Sequence, residues 1–209
     1  ATHAGIAPPQ VLQLAPQCFG PGPWTSQVID TTFDMSGFYA ALVFDNKDRP
    51  HLAYYNLTRR MLQYAHQVDG HWIQQTVDSS AADVGMYTSM VIDKFQRLHI
   101  AYMDITNGDL KHAASDPSHG TWSREVVDGA TTYVGYDCSI ALDAAGFPNI
   151  AYHDGTAEKL RIARQDASGW QHQLVDDTPG INGLYNSIAS DSAGNLRISY
   201  WDGSKYCQR

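Results

Sequence analysis

Apolar residues fall in short runs, and each run ends in Asp, Gly, Asn or Ser. Such a pattern predicts β-strands joined by tight turns. In one stretch the predicted strands are Trp72 to Asp78, Tyr87 to Asp93, Leu98 to Asp104 and Leu110 to Ala114. No apolar run approaches the ~20 residues needed to cross a bilayer, so no membrane insertion is expected.

The same four-strand grammar recurs along the chain. Four tryptophans stand at Trp24, Trp72, Trp122 and Trp170, and the intervals of 48, 50 and 48 are kept by other columns. These are Asp30, Asp78, Asp128 and Asp176; Gly37, Gly85, Gly135 and Gly183; Asp45, Asp93, Asp143 and Asp191; and Tyr54, Tyr102, Tyr152 and Tyr200. Each unit reads W-x4-V/I-D, a loop, G-x-Y/D-x-A/S-x3-D, a turn, an H-I-A-Y-like run, a second turn and L-x-x-A. A repeat of about 40–50 residues with four strands is the signature of a β-propeller blade. The expected fold is therefore all-β, a four-bladed propeller of four-stranded antiparallel blades.

Repeats of about 24–71, 72–121, 122–169 and 170–209 follow, and the last stops just after its third strand. Val11 to Gln17 resembles Met61 to Gln67, and both lead into a tryptophan strand. Residues 11–23 are thus expected to complete the last blade and close the ring, removing open edges. Lys205-Tyr206-Cys207 competes for the same third-strand position. Either arrangement brings Cys18 and Cys207 together, so a disulfide locking the ends is expected, with free thiols as the alternative. Cys138, among small residues of its column, reads as a buried thiol. Residues 1–10, with Pro8-Pro9, form an extended arm outside the repeat.

Composition narrows the function. Of 22 acidic residues 20 are Asp and only Glu125 and Glu158 are Glu, which disfavours helices because Asp prefers turns and caps. A formal charge of −8 with no basic cluster argues against nucleic acid as a partner. The sequence opens at Ala1-Thr2-His3 without a basic-then-apolar leader, as a processed secreted chain would, so a secreted, extracellular protein is expected.

Units of the form G-x-Y-x-S-x3-D-x2-G-x-P-H-I-A-Y-Y-D resemble the tandem blades of secreted bacterial propeller proteins, in an order similar to NHL-type propellers. The resemblance covers residues 11–209 and implies that the A/S-x3-D strand is innermost and the W-x4-V-D strand outermost. Departures are Asp137 in the column of Tyr39, Tyr87 and Tyr185, and Asn56 in the column of Asp104, Asp154 and Asp202.

With that strand innermost, two rings of side chains fall at one end of the blades, because neighbouring strands run antiparallel. One is Tyr39, Tyr87, Asp137 and Tyr185; the other is Asn56, Asp104, Asp154 and Asp202, preceded by Tyr55, Met103, His153 and Trp201. Aromatic rings beside carboxylates suit stacking on a sugar, and several oxygens together suit Ca²⁺ in the central channel. The plainer expectation is that each repeated Asp caps its own turn, which Asp137 and His153 escape by being unit-specific.

Asp45, Asp93, Asp143 and Asp191 precede tight turns and read as turn caps. His51 and His99 share a column and read as surface strand positions. No H-E-x-x-H, G-x-S-x-G, calcium loop or phosphate-binding loop occurs, so no cofactor or catalytic residue is assigned. Asn56-Leu57-Thr58 matches a glycosylation acceptor at Asn56. The expectation is an exported, non-catalytic module for protein interaction or self-assembly, such as the subunit of an extracellular oligomer or filament. A glycan-binding propeller is the alternative, and a glycoside hydrolase or lyase centred on Asp137 and Asp154 comes third.

Overall fold

The computed structural model describes residues 26–129 and 133–205, together with the backbone of 207–208. Two compact units divide the chain, Ala1–Thr31 and Thr32–Arg209. In the first, residues 26–31 hold neither strand nor helix. The extended arm, the candidate strand of residues 11–23, Trp24 and Cys18 lie outside the described residues, and the disulfide expectation falls there with Cys18.

The second unit is all-β and antiparallel. Its first sheet is β1 (Ser36–Phe44), β2 (Pro50–Asn56), β3 (Met61–Val68) and β4 (His71–Asp78), in that order. The second is β5 (Val84–Ile92), β6 (Leu98–Asp104), β7 (Asp109–Ser115) and β8 (Trp122–Asp128). The third is β9 (Val134–Leu142), β10 (Pro148–Asp154), β11 (Lys159–Asp166) and β12 (Gly169–Asp176). In the fourth, β13 (Asn182–Ser190) pairs with β14 (Leu196–Asp202), which pairs with β15 (Cys207–Gln208). The four predicted strands of the second repeat are thus β4 to β7, each within a few residues.

Sequence dictates the depth of each strand. Every residue of β6 and β10 is buried, in keeping with their nearly unbroken apolar runs, whereas β8 and β12 carry polar residues outward. Successive first strands pack on one another, β1 on β5, β5 on β9 and β9 on β13, so the A/S-x3-D strand is innermost and the tryptophan strand outermost. Between each pair of sheets lies one apolar layer. Leu62 and Tyr64 meet Met90 and Ile100; Leu110 meets Ile140 and Ile150; Ala151 and Ile162 meet Ile188.

The third-strand position of the last sheet is filled at its start by β15, with Asp202 opposite Cys207 and Trp201 opposite Gln208. This register matches Asp154 opposite Lys159 and Asp104 opposite Asp109. The C-terminal residues therefore stand where residues 11–23 are expected. A short turn after Asp202 brings them back at once, whereas the N-terminal segment must arrive from the other end of the chain.

Each sheet is tied to the next by a buried latch. The Tyr102 hydroxyl donates to Asp78 Oδ2 at 2.7 Å, Tyr152 to Asp128 at 2.6 Å and Tyr200 to Asp176 at 2.6 Å. A second repeated device caps turns as expected: Asp45, Asp93, Asp143 and Asp191 each accept two amide N–H bonds through Oδ1, at 2.8–2.9 Å.

Candidate functional site

The first ring is set by a backbone irregularity. Tyr39, Tyr87, Asp137 and Tyr185 all sit in the left-handed region, with φ of 51°, 56°, 49° and 52°. Each lies at a register shift of its innermost strand, the mark of a β-bulge. A bulge re-aims its side chain, and holding a tyrosine at positive φ costs about 1–3 kcal/mol. Four repeats of that cost place this column at one end of the sheets.

Aromatic rings then run across three sheets. Tyr39 and Tyr87 stand 4.8 Å apart by ring centroid, Tyr87 and Tyr136 5.5 Å, and Tyr136 and His153 6.4 Å. Tyr39, at one end of the run, is 43% exposed, and Tyr185 of the same column, outside the run, is 75% exposed; His153, at the other end, is buried. Burial, with Tyr39 and Asp137 nearby, pushes the Tyr87 hydroxyl well above its ordinary pKa, so it remains a neutral donor. Asp137 accepts the Tyr185 amide N–H at 2.9 Å, which joins the third sheet to the fourth.

The aromatic run ends at a recess of about 570 Å³ lined by Tyr133, Tyr136, His153, Gly155, Thr156 and Leu184. His153 Nδ1 donates to the Asn182 carbonyl at 2.8 Å, which fixes its tautomer and leaves Nε2 as an acceptor. Tyr136 and Leu184 have a signal in the sequence: their column reads Phe38, Met86, Tyr136, Leu184 and varies beside the invariant glycine column.

The second ring does not join this surface. Asp104, Asp154 and Asp202 are 2%, 0% and 0% exposed. Each caps its own turn, on the amides of Asn107, Ala157 and Ser204. Asp154 also pairs with Arg161 at 2.9 Å. Among the described residues no group of three or more His, Cys, Asp or Glu is arranged to hold a metal ion. Asn56 is likewise buried, at 2% exposure, and its Nδ2 donates to Asp34 at 3.1 Å. That nitrogen would carry a glycan, so the acceptor reading of Asn56 is corrected: the folded chain encloses it. Cys138 is a buried free thiol, as expected, donating to the Tyr87 carbonyl at 2.9 Å.

His51 and His99 also require correction, because both are buried, at 1% and 5% exposure. Each stands 3.6 Å from the turn-capping carboxylate of its unit, Asp45 or Asp93, which Arg49 or Arg97 also grips. His51 packs with Tyr64, His66 and His119, and His99 stacks on His112. Burial chiefly, then the neighbouring histidines, lowers both from 6.5 to about 4. Depressed values mean that the unfolded chain binds the extra protons. Stability is then complete above pH 6.5 and falls as pH drops toward 4, by up to about 3 kcal/mol per histidine. Urea midpoints measured across that window are expected to fall, and less so in a His51→Gln, His99→Gln variant.

No family model and no curated protein matches the sequence. Solved structures do match. The lectin SapL1, in complex with alpha methyl fucoside, is 15% identical over 83% of this chain and 63% of that chain, with a TM-score of 0.53. The NanB sialidase of Streptococcus pneumoniae is 17% identical over 77% of this chain and 27% of that one, at 0.54. A leech intramolecular trans-sialidase is 15% identical over 79% and 29%, at 0.50. The chain has a propeller-like fold. It spans under a third of each sialidase and under two thirds of the lectin, and identities this low concern fold alone. The sheets are blades, and among the described residues the last blade does not pack on the first as its neighbours pack on one another.

Proposed function

We propose that this protein is an exported, non-catalytic binding module whose tyrosine-rich end holds a saccharide. The observation that carries the reading is the aromatic run from the exposed Tyr39 through the half-buried Tyr87 and Tyr136 to His153, ending in a recess. Ring faces cover the apolar C–H face of a sugar, while phenols, the His153 acceptor and Thr156 meet its hydroxyls. A lectin of similar fold supports the ligand class by analogy. Catalysis is disfavoured because the carboxylates that would form a pair are engaged, Asp137 by a backbone amide and Asp154 by Arg161 and its turn. The resemblance to NHL-type propellers is one of blade order alone.

A glycan array followed by calorimetry on the best ligand tests this. Tyr87→Ala is expected to weaken binding at least about tenfold, with or without EDTA, and Asp137→Ala, by loosening the bulge, several-fold. Silence of the array, or unchanged affinity in both variants, counts against the site. A second reading, self-assembly, is favoured by a separate observation: the first blade leaves Phe38, Leu42 and Phe44 at 43%, 55% and 55% exposure on its innermost strand.

A further inference from the structure

The three joints between blades are copies of one design. In each, a glycine of the following innermost strand backs onto a leucine of the preceding third strand, Gly85 on Leu62, Gly135 on Leu110 and Gly183 on Leu160. In the last two joints a serine of the preceding innermost strand accepts an amide from the following one. Ser89 Oγ accepts from Ile140 at 3.2 Å, and Ser139 Oγ from Ile188 at 3.0 Å. The apolar residues that follow, Met90, Ile140 and Ile188, are 6%, 4% and 7% exposed.

Continuing these columns outward gives two half-joints. On the first blade, a Cβ placed on Gly37 would meet nothing within 4 Å, and Leu42, the counterpart of those buried residues, is 55% exposed. On the last blade, Ser187 and Ala189 are exposed and stand in the columns of Ser139 and Ala141. One surface offers an apolar knob with its amide, the other a small-residue cup with its hydroxyl.

We propose that a second copy of this chain fills them, the first blade of one molecule docking on the last blade of the next, head to tail. The inference rests on the self-assembly reading and specifies its surfaces. A second copy is the occupant because these knob and cup columns already meet at all three joints and the serine-to-amide bond forms at two of them, so the open halves match in shape and can repeat that bond. The contact is heterologous: such contacts propagate until a ring closes, or continue as a filament.

Sedimentation velocity from micromolar to near-millimolar concentration tests it, on wild type, Leu42→Asp, Ala189→Arg and an equimolar mixture of the two variants. Wild type is expected to associate, and each substitution to weaken association at least about 100-fold. The mixture should form a dimer and nothing larger, because one intact half-joint remains on each variant. Both positions are exposed, and unchanged circular dichroism and melting will separate lost association from lost folding. A wild-type chain that stays monomeric overturns the self-assembly reading and this joint with it. Association unaffected by either substitution leaves self-assembly standing and overturns the joint alone.

Discussion

Asp78→Ala is expected to destabilise the protein by about 3–5 kcal/mol, the cost of stranding a buried charge. Asp78 is fully buried, and its Oδ2 receives Lys111 Nζ at 2.6 Å as well as the Tyr102 hydroxyl. Burial pushes this carboxyl upward, but the bonds from Lys111, Ser80 and Tyr102 together outweigh it and hold the group below its ordinary value. Without Asp78, Lys111 keeps Ser80 Oγ at 2.9 Å, the Tyr102 ring at 5.8 Å and a distant Asp104 at 3.9 Å. Removing the lysine too should relieve the penalty, so Asp78→Ala with Lys111→Met is expected to be more stable than Asp78→Ala alone. Urea unfolding of the four members of that cycle measures the coupling. Asp128→Ala should cost less, since Arg161, in the lysine's column, turns to Asp154 instead. A double variant no better than Asp78→Ala would refute the stranded-charge account.

The repeat makes most of this architecture legible in the sequence. Periodic columns fix where strands and turns lie, and the Asp45 column was readable because a carboxylate bonding amides two and four residues on is a local event. Bonds between blades were not. Tyr102, Tyr152 and Tyr200 each stand 24 residues beyond their aspartate, a constant separation that signals pairing, but column positions alone do not say which columns meet. The burial of His51 and His99 is illegible for a related reason: turn capping already accounts for Asp45 and Asp93, and their second oxygens, which face the histidines, leave no sequence trace. The site divides similarly. Sequence brought the Tyr39 column to one end of the blades, whereas Asp104, Asp154 and Asp202 went to their turns, as the plainer expectation had it. Closure depends on the angle between blades, and that angle follows from packing at the joints rather than from the number of repeats.

The joint itself supplies the second large effect. Gly85→Ala is expected to destabilise by about 2–5 kcal/mol, from about 1–2 kcal/mol for a Cβ at φ 112° and about 1–3 kcal/mol for overpacking. The clash falls on backbone, since the new Cβ would lie 2.8 Å from the Leu62 Cα, and a strand held on both sides cannot retreat as a flexible side chain would. Gly183→Ala, at 2.7 Å from the Leu160 Cα, should behave alike. Gly37→Ala provides the internal comparison. Its φ of 90° carries the same conformational cost, but nothing stands within 4 Å, so the isolated chain should lose only about 1–2 kcal/mol. Thermal melts of the three variants separate the two contributions, and equal losses at Gly37 and Gly85 would show that the approach of Leu62 is unimportant. If the open half-joint receives another molecule, the same Gly37→Ala change should weaken association by far more than it weakens the fold, because only in the assembled state does the neighbour's β15, with Gln208 in the register of Leu160, come to lie behind it.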